Sequence, residues 1–516
     1  MTRFDLRRSV QPIAINTPCL RLLSTVPSNW LMLSLLSFAT LAQTLPATPL
    51  PAQELTIPKE TLPAPDILQI QEVFQAQEVR PLPGQLDSVP VLNSNSPEVV
   101  QTEGVLLSTF PPLGKRFPSA HLNFAFEGRF DVFSHHISRF QTGTPRTLFH
   151  GILLNNPTSK PIRVEILQGA SYSTRPDALF LPLPSYVDDP RGTVYAGPGS
   201  RVMNDLLRGR RQGWLPRELT IQPGQNAMLV NLPIPVAGTP GSNGRSTLIR
   251  LRSNGPVYAA SLAMFAPLTP DGRERTPTLE EWQSFLVTSD LAGPRDTPPT
   301  PLNARVPRVF YGRVAGVAVG SQWEAKLTDN TKSSLLTIPK QGRAFSYGLS
   351  TLYNGTLGTG QIQSAKLVKR YPDTAYQAHG NYGVLYRLLL PLHNPTKQVQ
   401  TVTLAIQTPL KDDRNKGGLL FYEPPEERVF FRGPVRIRYK DDKGTVQTRY
   451  VHVTQQRGQR GEPLLTLTLP GGDRREVEVE LLYPPDSTPP QVLTVQTLDG
   501  AVRSSSTGAD AAAAKQ

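Results

Sequence analysis

Four of the seven histidines in this 516-residue chain fall within one short stretch that also contains an aspartate. The candidate metal ligands in that stretch are His121, Asp131, His135, His136 and His150. Neutral imidazole and carboxylate groups are common ligands of transition metals. In a strand, however, His135 and His136 would point to opposite faces, so at most one of them could join a given site. No HExxH-type spacing supports a metal site, and hydrogen-bonded histidines at strand ends explain the cluster equally simply.

A second candidate site is an aromatic and polar segment, YPDTAYQAHGNYGVLY, over residues 371–386. Exposed tyrosines beside Asn and His can stack on sugar faces and hydrogen-bond sugar hydroxyls, but the same residues can also pack at the edge of a core. The segment therefore predicts either a glycan- or peptide-binding loop or a packed sheet edge. The candidate binding residues are Tyr371, Tyr376, His379, Asn381 and Tyr382.

Paired carboxylates would suit glycoside hydrolysis, in which the distance between two acids in space, rather than their spacing in sequence, is diagnostic. The candidate acids are Asp188, Asp189, Glu280, Glu281, Glu426 and Glu427. Solvated charges on loops explain each of them equally well.

Other catalytic and cofactor patterns are missing from the sequence. The segment GTLGTG at residues 355–360 lacks the glycine order of a dinucleotide fingerprint and is better read as a hairpin or bulge. Around Ser350 the chain reads GLSTL, without the second glycine of a nucleophile elbow. The only cysteine is Cys19. We therefore predict no cofactor and assign no catalytic residue.

The elements that would position these residues are organised around a motif that occurs twice. An apolar run leads into Asn-Pro-Thr and then into an alternating strand, first at residues 152–168 and again at 388–406. Alternation with a period of two is typical of a strand with one buried face. Two copies so far apart predict two related β-rich halves rather than a short-period solenoid.

The first forty or so residues are typical of an export signal. Arginines precede an uncharged run that begins at Trp30, and a proline-rich polar segment follows. The run is about a dozen residues long, shorter than the ~20 that span a bilayer. We expect cleavage after Ala42, or retention of the segment as an anchor. Either outcome predicts export to the periplasm, the outer membrane or the cell surface.

The net charge of +13 is spread along the chain without a dense basic run or a nucleic-acid-binding motif. We therefore expect no nucleic acid partner. For an exported chain the candidate partners are an anionic envelope polysaccharide, peptidoglycan or an envelope protein. The alternative is that the excess of Lys and Arg over Asp and Glu serves only solubility.

The 52 prolines favour many short strands joined by rigid turns, because proline breaks helices and donates no hydrogen bond to a sheet. Two short helices are predicted, one from Pro198 to a stop at Gly213 and one in LEEWQSFL, with Trp282 packed inward. Asn254-Gly255 predicts a hairpin turn, and the segment from Val435 to Val453 predicts a complete hairpin.

The predicted fold is mainly β, with two sandwich-like domains and one or two short helices. The predicted division is a signal segment over 1–42, a proline-rich linker over 43–69, a first domain over 70–275, a connector over 276–308, a second domain over 309–500 and a disordered tail over 501–516.

Long strings of the chain, among them AGPGSRVMNDLLRG, GTGQIQSA and YPPDSTPPQVLTVQT, resemble a cyanobacterial family of exported proteins of unknown function. The resemblance covers residues 78–498 and implies a cyanobacterial cell-envelope setting. It implies no catalytic or binding residues. Two hypotheses follow: a non-catalytic structural or binding protein that contacts envelope glycan or a partner protein, or a secreted glycoside hydrolase-like enzyme that uses loop carboxylates.

Overall fold

Short alternating apolar runs separated by proline-rich turns fold into many strands and little helix. The computed structural model describes residues 69–139, 145–238, 241–306, 308–414 and 416–500. The predicted signal, nearly all of the linker and the tail lie outside these residues. The prediction of a mainly β, sandwich-like fold with two short helices is confirmed.

The strands and helices follow one another along the described chain. Up to the predicted connector they are β1 (Gln71–Ala76), β2 (Glu78–Arg80), β3 (Pro90–Ser94), β4 (Val99–Val100), β5 (Gly104–Ser108), β6 (Phe126–Arg139), β7 (Leu148–Asn155), β8 (Ile162–Ser173), β9 (Tyr186–Asp188), α1 (Pro198–Leu207), β10 (Glu218–Ile221), β11 (Asn226–Ile234) and β12 (Ser242–Phe265). From the connector onward they are α2 (Leu279–Thr288), β13 (Ala315–Val319), β14 (Gln322–Lys326), β15 (Leu336–Thr337), β16 (Ala344–Leu349), β17 (Ala365–Arg370), β18 (Gln377–Ala378), β19 (Leu385–His393), β20 (Gln400–Gln407), β21 (Gly418–Glu423), β22 (Val429–Lys440), β23 (Val446–Gln456), β24 (Leu465–Leu469), β25 (Arg474–Leu482) and β26 (Gln491–Thr497).

Within the described residues these strands form four sheets. The strands of the C-terminal half form most of a sandwich, which packs a five-stranded sheet, ordered β2-β16-β26-β20-β24, on a seven-stranded sheet, ordered β14-β19-β25-β22-β23-β9 with β15 beside β19. The N-terminal half contributes β2 and β9 to these sheets. The largest sheet has twelve strands and contains members of both halves, because β3 pairs in parallel with β6 and antiparallel with β13. Each of the four sheets therefore contains strands from both sides of the predicted connector.

The two Asn-Pro-Thr motifs form the same corner in each half. Asn156 follows β7 and donates from Nδ2 to the carbonyls of Lys160 and Ile221 at 2.7 and 2.9 Å. Asn394 follows β19 and donates from Nδ2 to the carbonyls of Gln398 and Leu469 at 2.8 and 2.9 Å. In both motifs the threonine two residues later donates its hydroxyl to the asparagine Oδ1 at 2.8 Å. The repeat predicted from sequence is therefore the same corner used twice, between β7 and β8 and between β19 and β20.

The helix at Pro198 is confirmed, but it ends at Leu207 rather than at Gly213. The chain reverses at Gly209, which has a φ of +75° that favours glycine. Ser200, in the first turn of the helix, hydrogen-bonds Nε2 of His452 at 2.9 Å. Helix α1 packs against β8 and β12 on one side and β22 and β25 on the other, so it fills the space between the halves.

The prediction of a hairpin turn at Asn254-Gly255 is wrong. The strand β12 continues through these residues, and its register shifts between Ser253 and Val257. Before this bulge β12 pairs with β6 and β8, and after it with β5 and β7. The bulge bends one long strand from one group of strands to the next, a role that Asn-Gly can serve as well as a tight turn.

Two local predictions from the sequence are confirmed. Helix α2 begins with a capping box between Thr278 and Glu281, and Trp282, on the helix, is fully buried. Strands β22 and β23 form the predicted hairpin, with Val435 opposite Val451. Among the described residues, no helix is long and apolar enough to cross a membrane.

Candidate functional site

A cleft of about 260 Å³ opens where the end of β3 meets the loops that flank β13 and β18. Its walls come from both halves of the chain, because Asn93 and Asn95 belong to the first half and residues 311–314 and 378–382 to the second. Lys411 closes one side of the cleft. The twelve-stranded sheet, which contains β3, β13 and β18, therefore positions the cleft.

Three residues of the cleft walls carry buried polar atoms that bond to no described protein group. These atoms are Oδ1 of Asn93, Oδ1 of Asn95 and Nδ1 of His379. Asn93 and Asn95 are only 5% and 8% exposed. Because an unpaired buried polar group costs about 1–3 kcal/mol, a protein keeps such groups mainly where they have a use. The cleft walls thus contain amide and imidazole side chains whose hydrogen-bonding capacity is not fully used by the described protein groups.

Tyr311 stands at the centre of one wall. Its hydroxyl donates to the carbonyl of Tyr353 at 2.6 Å and accepts a hydrogen bond from Nζ of Lys411. The Lys411 ammonium also lies 4.5 Å from the centroid of the Tyr311 ring. Burial raises the pKa of Tyr311 to about 12, so its hydroxyl stays protonated at neutral pH. The tyrosine fixes the position of the one lysine that lines the cleft in the described chain.

The imidazole of His379 faces Tyr311, with ring centroids 4.7 Å apart. Burial, and to a smaller extent the nearby Lys411 charge, lower the pKa of His379 to about 4. The ring is therefore neutral at physiological pH, with one nitrogen that donates and one that accepts. A neutral imidazole of this kind suits a hydroxyl, which also both donates and accepts.

Asn381 and Tyr382, two of the predicted binding residues, line the cleft, but their polar atoms serve the protein itself. Asn381 donates from Nδ2 to the Gln363 carbonyl at 2.8 Å and holds the loop in a left-handed turn with a φ of +48°. The Tyr382 hydroxyl donates to the Ser487 carbonyl at 2.9 Å, and its ring stacks on Tyr483. These two residues shape the loop that presents His379.

The other two predicted tyrosines lie elsewhere. Tyr376 lines a separate groove beside the cleft. Tyr371 is fully buried, with its hydroxyl accepting from the backbone N–H of Ser108 at 3.0 Å and donating to the carbonyl of Ala120 at 2.8 Å. Tyr371 therefore belongs to the core, the alternative that the sequence left open.

The candidate metal ligands do not converge. His135 and His136 point to opposite faces of β6, as strand alternation requires. Nδ1 of His135 hydrogen-bonds the Ser246 hydroxyl at 2.8 Å, whereas Nε2 of His136 hydrogen-bonds the Ser94 hydroxyl at 2.9 Å. His150 is the nearest other ligand, 5.6 Å from His136 between ring centroids. No three His, Cys, Asp or Glu side chains in the described parts of the chain form a group that could hold a metal ion.

His121 and Asp131 are held separately from the other candidate ligands. Nδ1 of His121 bonds the Ser108 hydroxyl at 2.8 Å. Asp131 is buried between Arg129, which donates to its carboxylate, and Arg250, whose Nε lies 3.8 Å away. These contacts give both residues structural roles.

Four of the six candidate carboxylates are occupied by structural contacts, whereas Glu280 and Glu427 are exposed. Asp189 accepts backbone N–H groups of the following turn, Glu281 caps α2, and Glu426 pairs with Arg457 at 2.6 Å. Asp188 pairs with Arg449 at 2.8 Å. Among the residues that line the cleft in the described chain, none is an aspartate or glutamate.

Sequence reasoning missed Asn93, Asn95, Tyr311, Arg313 and Lys411. The string VLNSNS contains a usable signal, because two asparagines separated by one residue at a strand end share a face. Tyr311 and Lys411 carry no such signal, since only the tertiary fold brings them together across 100 residues of sequence.

The fold and the cleft define a mainly β, sandwich-like protein with a polar cleft between its two halves. The chain belongs to the family described as Protein of unknown function (DUF3370), whose profile matches residues 77–497. No curated protein sequence matches the chain.

Several solved structures show a distant likeness. Lac15 from a marine microbial metagenome is 9% identical over 81% of this chain and 68% of its own, with a TM-score of 0.09. A mutant of Bacillus subtilis oxalate decarboxylase OxdC is 9% identical over 78% of each chain, again with a TM-score of 0.09. The coconut allergen cocosin is 9% identical over 78% of this chain and 86% of its own, with the same TM-score. At these TM-scores the likenesses carry no argument about fold or function.

Proposed function

We propose that the protein is an exported, non-catalytic component of the cell envelope that binds an acidic envelope polysaccharide in the cleft. The observation that carries this proposal is the set of unpaired buried polar atoms on Asn93, Asn95 and His379. A small rotation of each side chain would bring its unpaired atom to the cleft surface, where the hydroxyl groups of a ligand would give it a partner.

The chemistry of the walls favours a sugar. Two amides and a neutral imidazole can each bond a hydroxyl, while Val314, Leu352 and Pro489 offer apolar surface to the face of a sugar ring. Few convergent polar groups on an otherwise apolar surface are typical of small-molecule sites.

The charges at the cleft favour an acidic sugar. Lys411 lies beside Tyr311 in the wall, and Arg313 lines the cleft while pairing with Glu98. No carboxylate among the described lining residues would repel an anion. A uronate carboxylate near Lys411 would gain a charge-assisted hydrogen bond.

The location of the protein is part of the proposal. The arginines, the uncharged run from Trp30 and the absence of cysteine after Cys19 support export. The resemblance of long sequence strings to exported cyanobacterial proteins supports a cyanobacterial envelope. In that setting an acidic polysaccharide is an abundant partner for a chain with a net charge of +13.

The test is retention of the purified chain on isolated cyanobacterial wall and outer-membrane fractions across a salt series, with released sugars assayed in the same tubes. We expect retention that falls as salt rises, without release of sugar. Release of sugars would contradict the non-catalytic role.

A matched pair of variants tests whether the polysaccharide binds in the cleft. Asn95→Ala removes a cleft amide, whereas Asn330→Ala removes an exposed asparagine in a distant turn. We expect only Asn95→Ala to lose retention. Equal retention of both variants would show that binding occurs outside the cleft.

A further inference from the structure

Beside the polar cleft lies an apolar groove of about 160 Å³. Its lining is mostly proline, aliphatic and aromatic, and the described lining residues include no charged side chain. The lining residues that carry the argument are Pro301, Leu302, Phe310, Tyr353, Ile362 and Tyr376.

Four of these side chains are exposed to an unusual extent for large apolar residues. Leu302 is 66% exposed, Phe310 47%, Tyr353 45% and Ile362 42%. Single exposed apolar residues are common on protein surfaces, but a contiguous set around a groove marks a binding surface. The groove therefore needs an apolar occupant.

The groove and the cleft lie side by side, because Tyr311 and His379 line both. The charged groups, Lys411 and Arg313, lie on the cleft side only. Each cavity alone is smaller than the roughly 300–1,000 Å³ of a typical small-molecule site, whereas the two together fall within that range. One site is thus divided into a polar, cationic part and an apolar part.

We propose that the ligand is amphiphilic: an acidic sugar that carries an alkyl or acyl substituent, with the sugar in the cleft and the chain in the groove. This inference rests on the proposed function, because the sugar end is the ligand proposed for the cleft. The division of charge between the two cavities selects this occupant over an uncharged apolar molecule, which would leave Lys411 and the cleft amides unused.

The test compares binding of methyl β-D-glucuronide and hexyl β-D-glucuronide to the full chain by isothermal titration, at concentrations below micelle formation. Burial of a methylene strengthens binding up to about fourfold, so we expect a gain of about twofold to fourfold for each added methylene that enters the groove. Asn95→Ala should weaken binding of both glucuronides, because it acts on the sugar end.

Leu302→Asp places a charge at the groove and should abolish the gain from the longer chain while leaving binding of the methyl glucuronide unchanged. Val399→Asp is the matched control, because Val399 is similarly exposed, at 62%, and lines neither cavity. We expect Val399→Asp to keep the full gain. Both changes lie on the surface, so both variants should fold.

Equal affinity for the two glucuronides would overturn the inference and leave the proposed function standing. Failure of both to bind would overturn the proposed function and this inference with it. Hexyl binding that is insensitive to Asn95→Ala would show a purely apolar site and overturn the inference. Sedimentation that shows a dimer dissociated by Leu302→Asp would assign the groove to a second copy of the chain, which would also overturn it.

Discussion

The rings of Tyr311 and His379 lie 4.7 Å apart between centroids and form the wall that the polar cleft and the apolar groove share. Tyr311 follows the predicted connector, whereas His379 lies in the loop after β18. Their meeting depends on the sheet that joins the two halves. The candidate site is therefore a property of the assembled fold rather than of either half alone.

Asn95→Ala should separate binding from stability. The Oδ1 atom of Asn95 is buried and bonds to no described protein group, so its removal relieves a cost rather than breaking a contact. We expect at least a tenfold loss of affinity for acidic oligosaccharide, with the free energy of unfolding unchanged or raised by about 1 kcal/mol. Titration calorimetry and urea unfolding measure the two quantities. A loss of stability would instead assign Asn95 to the structural framework.

Lys411→Met should change selectivity rather than abolish binding. The substitution removes the cation beside Tyr311 and keeps much of the length of the side chain. We expect weaker binding of uronate oligosaccharides, by about threefold to thirtyfold, and little change for neutral ones, since a charged hydrogen bond contributes about 1.5–3 kcal/mol when buried and less at a cleft mouth. The salt dependence should decrease in parallel. Equal losses for acidic and neutral sugars would contradict an electrostatic role for Lys411.

Acid should destabilise the fold through its buried histidines. Burial lowers the pKa of His136 to about 4, from 6.5 when the ring is free in water. Between these two pH values the histidine is protonated in the unfolded chain but neutral in the folded chain. Its contribution to the free energy of unfolding is therefore fully present above about pH 6.5 and is lost as the pH falls towards 4. His136 alone should contribute a loss of about 2 kcal/mol between about pH 7 and pH 5.

Urea unfolding of the wild type and of His136→Gln at the two pH values measures this effect. Glutamine does not titrate, so the pH dependence of the unfolding free energy should be smaller in the variant. His135 has its pKa lowered to about 4 by burial as well, so part of the dependence should persist. A wild-type unfolding free energy that is the same at both pH values would refute the prediction.

Asn394→Ala should destabilise the second half of the fold. The fully buried Asn394 amide donates to the carbonyls of Gln398, Leu469 and Pro470. Loss of these bonds leaves the buried Leu469 carbonyl without this partner, which we expect to cost about 3 kcal/mol of unfolding free energy. Asn156→Ala should cost a similar amount, because that corner has the same hydrogen bonds.

Asn330→Ala is the control for these corner variants. Asn330 is exposed, and its side chain accepts hydrogen bonds only from the backbone of its own turn. We expect a cost of at most about 1 kcal/mol. Corner variants that unfold at the same urea concentration as Asn330→Ala would contradict the role given to the Asn-Pro-Thr motif.

Local signals in the sequence were sufficient for much of the fold. The alternation of apolar residues predicts the hairpin of β22 and β23, and the segment LEEWQSFL, with Trp282 facing inward, predicts α2. The Asn-Pro-Thr repeat predicts two related halves. Asn254-Gly255 misled because a bulge and a tight turn use the same residue types, and only pairing partners distant in sequence distinguish them.

The candidate site was only partly predictable. The polar segment over 371–386 directed attention to His379, but the other lining residues of the cleft come from five other parts of the chain. Tyr382 and Asn381 have the residue types of ligand contacts, yet their bonds hold the loop. Neither composition nor periodicity encodes which polar atoms will be left without partners after folding.

Hydrogen–deuterium exchange with and without acidic envelope oligosaccharide tests the central claim most directly, because it reports where the ligand binds. We predict protection of the segments around residues 308–314 and 376–382, with Lys411 and its neighbours, and little change around the corner at Asn394. Protection confined to other surfaces, or no protection at saturating oligosaccharide, would contradict the assignment of the cleft as the binding site.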